Sequence, residues 1–184
     1  MQAELVRQAK RGDREAFAVL ATGAVDRLYA IARLVLRDTE LAEDAAQDAL
    51  VRAWRDLPTL RDVERFDAWL YRLVVNSCAD IGRRRRQWRA EITLIRPEPA
   101  QSDGASDRAD RDELERGLRR LSNAQRSILV LHFYLDLPLT QTAEAMDIPI
   151  GTAKSRFHYA LAALRAALEA DARTVSRAAE GRSA

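Results

Sequence analysis

The chain has 184 residues, 47% of them apolar, and a formal net charge of only +2. That size suits one or two packed domains, and so small an excess excludes polyanion binding by overall basicity, leaving the placement of arginine to decide any such affinity. A single cysteine, Cys78, excludes an internal disulfide, and with two distant histidines, His132 and His158, it makes no zinc-ligand spacing.

Only seven Gly and five Pro interrupt a sequence rich in Ala, Leu, Arg and Glu, so the expected fold class is all-α. The first ten residues include Glu4 and Arg7 without a long apolar run, and no later stretch is apolar enough to span a bilayer. A cytoplasmic protein with no direct membrane insertion is expected, and no cofactor is expected either.

The first strong helical period opens after Gly12. Asp13 can cap a helix carrying Phe17, Leu20, Ala24, Leu28 and Ile31 at steps of three and four, fading near Arg37. Asp38 and Thr39 offer the next cap, Leu41, Ala45, Ala49, Ala53 and Leu57 form one apolar face, and Pro58 ends that helix. After a polar stretch over 59–64, a third helix is predicted from about Arg65 to Arg86, with Phe66, Leu70, Leu73, Val74, Ser77 and Ile81 inward. Three helices with short connections predict one bundle over residues 1–90.

Between about Glu91 and Asp110 the texture changes, with Pro97, Pro99, Ser102, Gly104 and Ser106 set among acidic residues and no apolar period, which predicts a flexible linker. A second small helical domain is predicted over 111–171. In it Ser122 and Gln125 have capping-box spacing ahead of Ile128, Leu129, Leu131 and Leu135. A short helix from about Thr140 to Met146, a turn at Asp147, Ile148 and Pro149, and a helix from about Ile150 to Ala170 have the proportions of a helix-turn-helix. Residues 172–184 are small and polar and are expected to fray.

Three polar faces stand out. On the second helix Asp44, Gln47, Asp48 and Val51 recur at three and four, a part-acidic, part-apolar strip bordered by Arg52 and Trp54 and suited to a basic partner helix. On the third, Arg72, Asn76, Ala79, Arg83 and Arg86 fall within a sector of roughly 80° opposite the apolar face, a basic stripe holding an amide that can read a base. On the last, Ala153, Phe157, Ala160, Leu161 and Leu164 face inward while Gly151, Ser155, His158 and Tyr159 face out. Lys154 and Arg156 sit on the shoulders, where they suit phosphates, and Thr152 lies at the helix start, where backbone N–H groups favour a phosphate.

Particular strings sharpen these faces. Residues 148–158, reading IPIGTAKSRFH, resemble the minus-35 recognition helix of extracytoplasmic-function sigma factors, and LSNAQR over 121–126 and LTQTAE over 139–144 resemble that family's preceding helices in order and spacing. AEDAAQDALVRAW over 42–54 is similar to the segment with which sigma factors grip the clamp helices of the polymerase largest subunit. FDAWLYRLVVN over 66–76 resembles the minus-10 reading helix.

The resemblance runs from about Asp13 to Leu168 and implies sigma region 2 followed by a sigma region 4 helix-turn-helix. It implies partners in core RNA polymerase, promoter DNA as duplex and as melted non-template strand, and an anti-sigma factor. It implies that Thr152, Lys154, Ser155, Arg156, His158 and Tyr159 meet the minus-35 element, that Arg72, Asn76, Arg83 and Arg86 meet the minus-10 element, and that Asp44, Gln47, Asp48, Val51 and Arg52 meet core polymerase. The loop at about Leu57 to Glu64 is expected to receive a flipped base, with Phe66, Trp69 and Tyr71 as nearby stacking surface. The family often carries Arg four residues after the recognition-helix Ser and again two further on; here those positions are Tyr159 and Leu161.

The chief rival is a helix-turn-helix regulator that is not a polymerase subunit, which leaves the front half without a role. An enzyme is a weaker rival, because no paired nucleophile and base, metal spacing or phosphate loop occurs.

Overall fold

A computed structural model describes residues 1–93 and 117–180, with side chains described to Trp88, Arg86 excepted, and from Gly117 to Ala170. Among the described residues every regular element is a helix.

The front unit has four helices where three were expected. Helix α1 (Gln2–Lys10) buries Val6 and Ala9 against α2 (Arg14–Leu36). Two buried positions leave too short an apolar period to announce a helix in the sequence. Gly12 turns the chain between them at a φ of 96°, a left-handed conformation that favours glycine. The Asp13 carboxylate then accepts from Glu15 N–H at 2.9 Å and Ala16 N–H at 3.1 Å, satisfying two orphan donors of α2.

Arg37 ends α2 in a left-handed conformation, and Asp38 accepts from Leu41 N–H at 3.2 Å to start α3 (Thr39–Asp56). The buried face of α3 consists of Ala42, Ala45, Ala46, Ala49 and Ala53, so small that α2 and α4 can approach closely. Two 3-10 turns, Leu57–Thr59 and Val63–Arg65, carry the chain past Pro58 into α4 (Phe66–Thr93). The core is filled by Leu28, Ile31, Val35, Leu57, Leu70 and Val74, each at most 2% exposed, and each such side chain contributes about 1.5–3 kcal/mol of burial.

The expected linker, 91–110, lies outside the described residues except for 91–93, which continue α4. In the rear unit Ser122 and Gln125 form the expected capping box ahead of α5 (Asn123–Leu129). A π-helical turn, Val130–Tyr134, continues it, and α6 (Leu139–Ala145) and α7 (Ile150–Glu180) follow. Helix α7 runs past the expected end at Ala170, so residues 172–180 of the expected tail are helical, while 181–184 lie outside the described residues. Gly117 lets its segment lie against α7, since a Cβ there would stand 3.0 Å from a Leu164 methyl and 3.1 Å from one of Leu168.

The two units touch. Leu121, Ile128, Leu129, Ala143, Ala153 and Ala160 make the rear core, whereas Val130, Leu131 and Ala145 join the front core. The sequence predicts a flexible linker between the two units and carries no signal of this contact.

Candidate polymerase and nucleic-acid interfaces

Helix α7 presents the face that its period predicted. Ala153 and Ala160 are fully buried, Phe157, Leu161 and Leu164 pack beside them, and Thr152, Lys154, Ser155, His158 and Tyr159 are exposed. Arg156 is half-buried on the shoulder. The Ser155 hydroxyl donates to the Thr152 carbonyl at 3.0 Å, and Tyr159, 67% exposed, stands edge-on to His158.

The turn before α7 is held tightly. Asp147 takes a left-handed φ of 54°, with its N–H on the Glu144 carbonyl at 3.1 Å and Ile148 N–H on Ala143 at 3.0 Å, an arrangement that closes the C-terminus of α6. The buried Thr142 hydroxyl donates to the Leu137 carbonyl, and His132 Nδ1 donates to the same carbonyl at 2.8 Å. His132 thereby has a structural partner and lies edge-on to Phe157.

On α3 the strip divides. Asp44, Gln47 and Val51 are exposed, Val51 by 60%. Asp48 and Arg52 instead clip α3 to α4: the Ser77 hydroxyl donates to Asp48 at 2.7 Å, and Arg52 reaches Asp48 and Asp80 at 2.9 Å each. Burial works against the Arg52 charge, but Asp80 and Asp48 together outweigh it and raise its pKa. Ser77 is fully buried, so Asp48→Ala strands its hydroxyl and should cost about 1–2 kcal/mol in urea unfolding, with Asp48→Asn retaining most of it. Trp54, bordering the strip, is 39% exposed and packs at a tilt against Phe17, with ring centroids 5.0 Å apart.

The basic stripe of α4 is partly neutralised. Arg72 is exposed and pairs with Asp147 at 2.7 Å, Asn76 is half-buried, and Arg83 pairs with Asp80. The Arg86 side chain lies outside the described residues. Two of the three aromatics expected to stack on a flipped base are core residues instead: Phe66 is 3% exposed, and Tyr71 is 7% exposed with its hydroxyl accepting from Arg27 at 2.8 Å. Trp69 is half-buried against Phe66. Trp88, 63% exposed near the end of the stripe, offers an aromatic surface that no sequence pattern singles out.

Sequence reasoning also missed Arg126. It is 7% exposed and donates to the carbonyls of Val35, Leu118 and Leu121 and to the Asn123 side chain, so it caps the end of α2 from the rear unit. Burial first, and the charge of Arg37 second, push its pKa down to about 10, which leaves it charged at neutral pH. The string LSNAQR contains it, but periodicity alone does not set Arg126 apart from the other polar residues of α5.

Residues 21–90 match the family model for sigma-70 region 2, and residues 117–166 match that for sigma-70 region 4. The ECF RNA polymerase sigma factor SigW of Bacillus subtilis is 27% identical over 173 residues, covering 87% of this chain and 92% of that protein. The RNA polymerase sigma-H factor of Pseudomonas aeruginosa is 30% identical over 179 residues, covering 90% and 93%. Among solved structures, CnrH in complex with the cytosolic domain of CnrY aligns with a TM-score of 0.65 and 26% identity over 92% of this chain and 98% of that one. With both regions matched in order and the relatives spanned almost end to end, the chain belongs to the extracytoplasmic-function group of RNA polymerase sigma factors, non-enzymatic subunits that direct transcription initiation.

Proposed function

We propose a division of labour among the three faces. The exposed part of the α3 strip, centred on Asp44, Gln47 and Val51, docks on the clamp helices of the polymerase largest subunit, with Asp48 and Arg52 holding α3 in register on α4. The α4 stripe, Arg72, Asn76, Arg83 and Arg86, captures the opened non-template strand at the minus-10 element. Helix α7 enters the major groove at the minus-35 element, with Ser155, His158 and Tyr159 toward base edges and Thr152, Lys154 and Arg156 toward phosphates. Residues 1–90 and 111–171 serve as the two working domains, with 91–110 between them and 172–184 as a tail.

The observation that carries this reading is the separation of the exposed faces: an acidic and apolar strip on one helix, and polar or basic faces on two others. A regulator that only binds duplex uses the last of these. The site of action is the cytoplasm, where the polymerase works, and no helix among the described residues is long and apolar enough to cross a membrane. An anti-sigma factor is the expected restraint, by analogy with CnrH, solved in complex with the cytosolic domain of CnrY.

The recognition face carries its own test. Tyr159 is outward and Leu161 is packed against the rear core, so the bidentate guanine contacts of an Arg-bearing helix are replaced by a phenol and an apolar side chain. Selection of holoenzyme-bound promoters from a randomised minus-35 library should return a motif different from that of Arg-bearing relatives. Tyr159→Arg should shift that preference toward guanine, with discrimination of about 1 kcal/mol or somewhat more per position. Recovery of one identical motif by both proteins would refute the assignment.

A further inference from the structure

A cavity of about 260 Å³ opens where the end of α2, the second half of α4 and the start of the rear unit meet, and none of the residues assigned to the three faces lines it. Four arginines do: Arg37 and Arg85 from the front unit, Arg119 and Arg126 from the rear. Among the described residues that line it, none is acidic. Asp38, outside the lining, pairs with Arg85 at 3.0 Å, and that guanidinium stays 42% exposed. Leu36, Leu41 and Ile81 complete the wall, and buried Gly82 adds backbone without a side chain.

Arg126 is the residue that points to a ligand. It is 7% exposed, and four of its five N–H groups are taken by the carbonyls of Val35, Leu118 and Leu121 and the Asn123 side chain. All four acceptors are neutral. A buried charge is ordinarily matched by an opposite one. Here burial and the neighbouring Arg37 charge both work against the guanidinium and lower its pKa. An anion in the cavity offsets both effects and accepts the N–H that remains on Nη2.

We propose that this cavity binds a small molecule bearing a diphosphate or triphosphate chain, held between arginines of the two units. Each guanidinium offers a planar fork of donors that matches a pair of phosphate oxygens. Four forks converging from two sides suit a chain of phosphates better than a carboxylate, which has only two oxygens to share. Size argues against nucleic acid as the occupant, since the cavity lies just below the roughly 300 Å³ at which ordinary small-molecule sites begin. The apolar wall of Leu36, Leu41 and Ile81 leaves a surface for whatever the chain is esterified to.

Calorimetric titration of the full chain tests the site, with sodium pyrophosphate in one arm, ADP in a second and sodium chloride at matched ionic strength as the blank. Saturable one-to-one binding is expected for pyrophosphate and ADP and none for chloride. Equal affinities would mean that the inorganic chain suffices, and tighter ADP binding would bring the nucleoside onto the apolar wall. Arg85→Ala with Arg119→Ala should weaken both by at least about tenfold, through loss of charge-assisted hydrogen bonds. Arg11→Ala with Arg14→Ala removes the same charge from exposed positions at the far end of α2. That lies roughly 35 Å along the helix and beyond several screening lengths, so this pair should change affinity less than about twofold.

Melting curves must show both pairs folded. If the cavity pair unfolds the protein, Arg85→Lys with Arg119→Lys keeps the charges, removes the forks and should still weaken binding about threefold. No saturable heat from either phosphate compound overturns the site. So does equal weakening by the cavity and control pairs, or unchanged affinity in the lysine pair. Displacement of pyrophosphate by a short oligothymidylate whose own binding is lost in the cavity pair would give these arginines to the DNA backbone and overturn the small-molecule site as well.

Discussion

Reversing the exposed strip of α3, with Asp44→Arg and Val51→Asp together, is expected to weaken binding to core polymerase by at least about tenfold while leaving thermal unfolding unchanged. The two halves of that expectation come from different observations. Asp44 and Val51 are exposed and lie one helical face away from the buried alanines, so the fold gains nothing from them. A basic partner helix, by contrast, would lose an attractive charge, gain a repulsive one and meet a carboxylate where a methyl pair had packed. The choice of positions matters, because Asp48 and Arg52 are tied to Ser77 and Asp80, so their loss would mix folding with docking. Association measured by surface capture of core polymerase, beside a melting curve for each variant, checks both halves. Unchanged affinity would remove α3 from the docking surface.

Arg126→Met should destabilise the protein by about 2 kcal/mol net. Two effects oppose each other at this site. Removing a buried guanidinium relieves the cost that holds its pKa down near 10. Against that, the carbonyls of Val35 and Leu121 lose a donor where water has little access, while that of Leu118 keeps the N–H of Leu121, and each unmet acceptor costs about 1–3 kcal/mol. Two stranded acceptors outweigh one relieved charge. Urea unfolding is the check, with Arg126→Lys expected between wild type and Met. A more stable Met variant would mean that burying the charge costs more than stranding the two carbonyls. Because Arg126 stays protonated up to about pH 10, the difference between wild type and Met should hold constant from pH 6 to pH 9.

Most of the fold was legible because its signals are local. Asp13, Asp38 and the Ser122 and Gln125 pair act as caps where their spacing said they would, and Pro58 ends α3. The inward faces of α2, α3 and α7 follow directly from apolar period, which needs no knowledge of the partner. What the sequence withheld was long-range. Helix α1 buries two residues, too few for a period, and α7 continues beyond Ala170 through small residues whose composition reads equally as tail.

The functional faces divide in the same way. Period placed Ser155, His158 and Tyr159 outward and Asp44, Gln47 and Val51 on one strip, and those positions are exposed. Period could not say that Arg52 turns inward to Asp80, that Tyr71 answers Arg27, or that Arg72 meets Asp147 from the other unit, because each partner is 28 or more residues away. Aromatic residues misled for a related reason: Phe66 and Tyr71 lie close in sequence to the expected strand site, but the core claims both. Exposed Trp88 carries no such pattern and is distinguished only by the packing it lacks.

The most direct measurement is in vitro transcription with bacterial core polymerase and a genomic DNA template, with start sites mapped with and without this protein. Initiation should appear at a defined set of positions sharing two upstream elements, and only when the chain is added. Core polymerase that binds the chain yet starts nowhere new, or that does not bind it, would contradict the central claim.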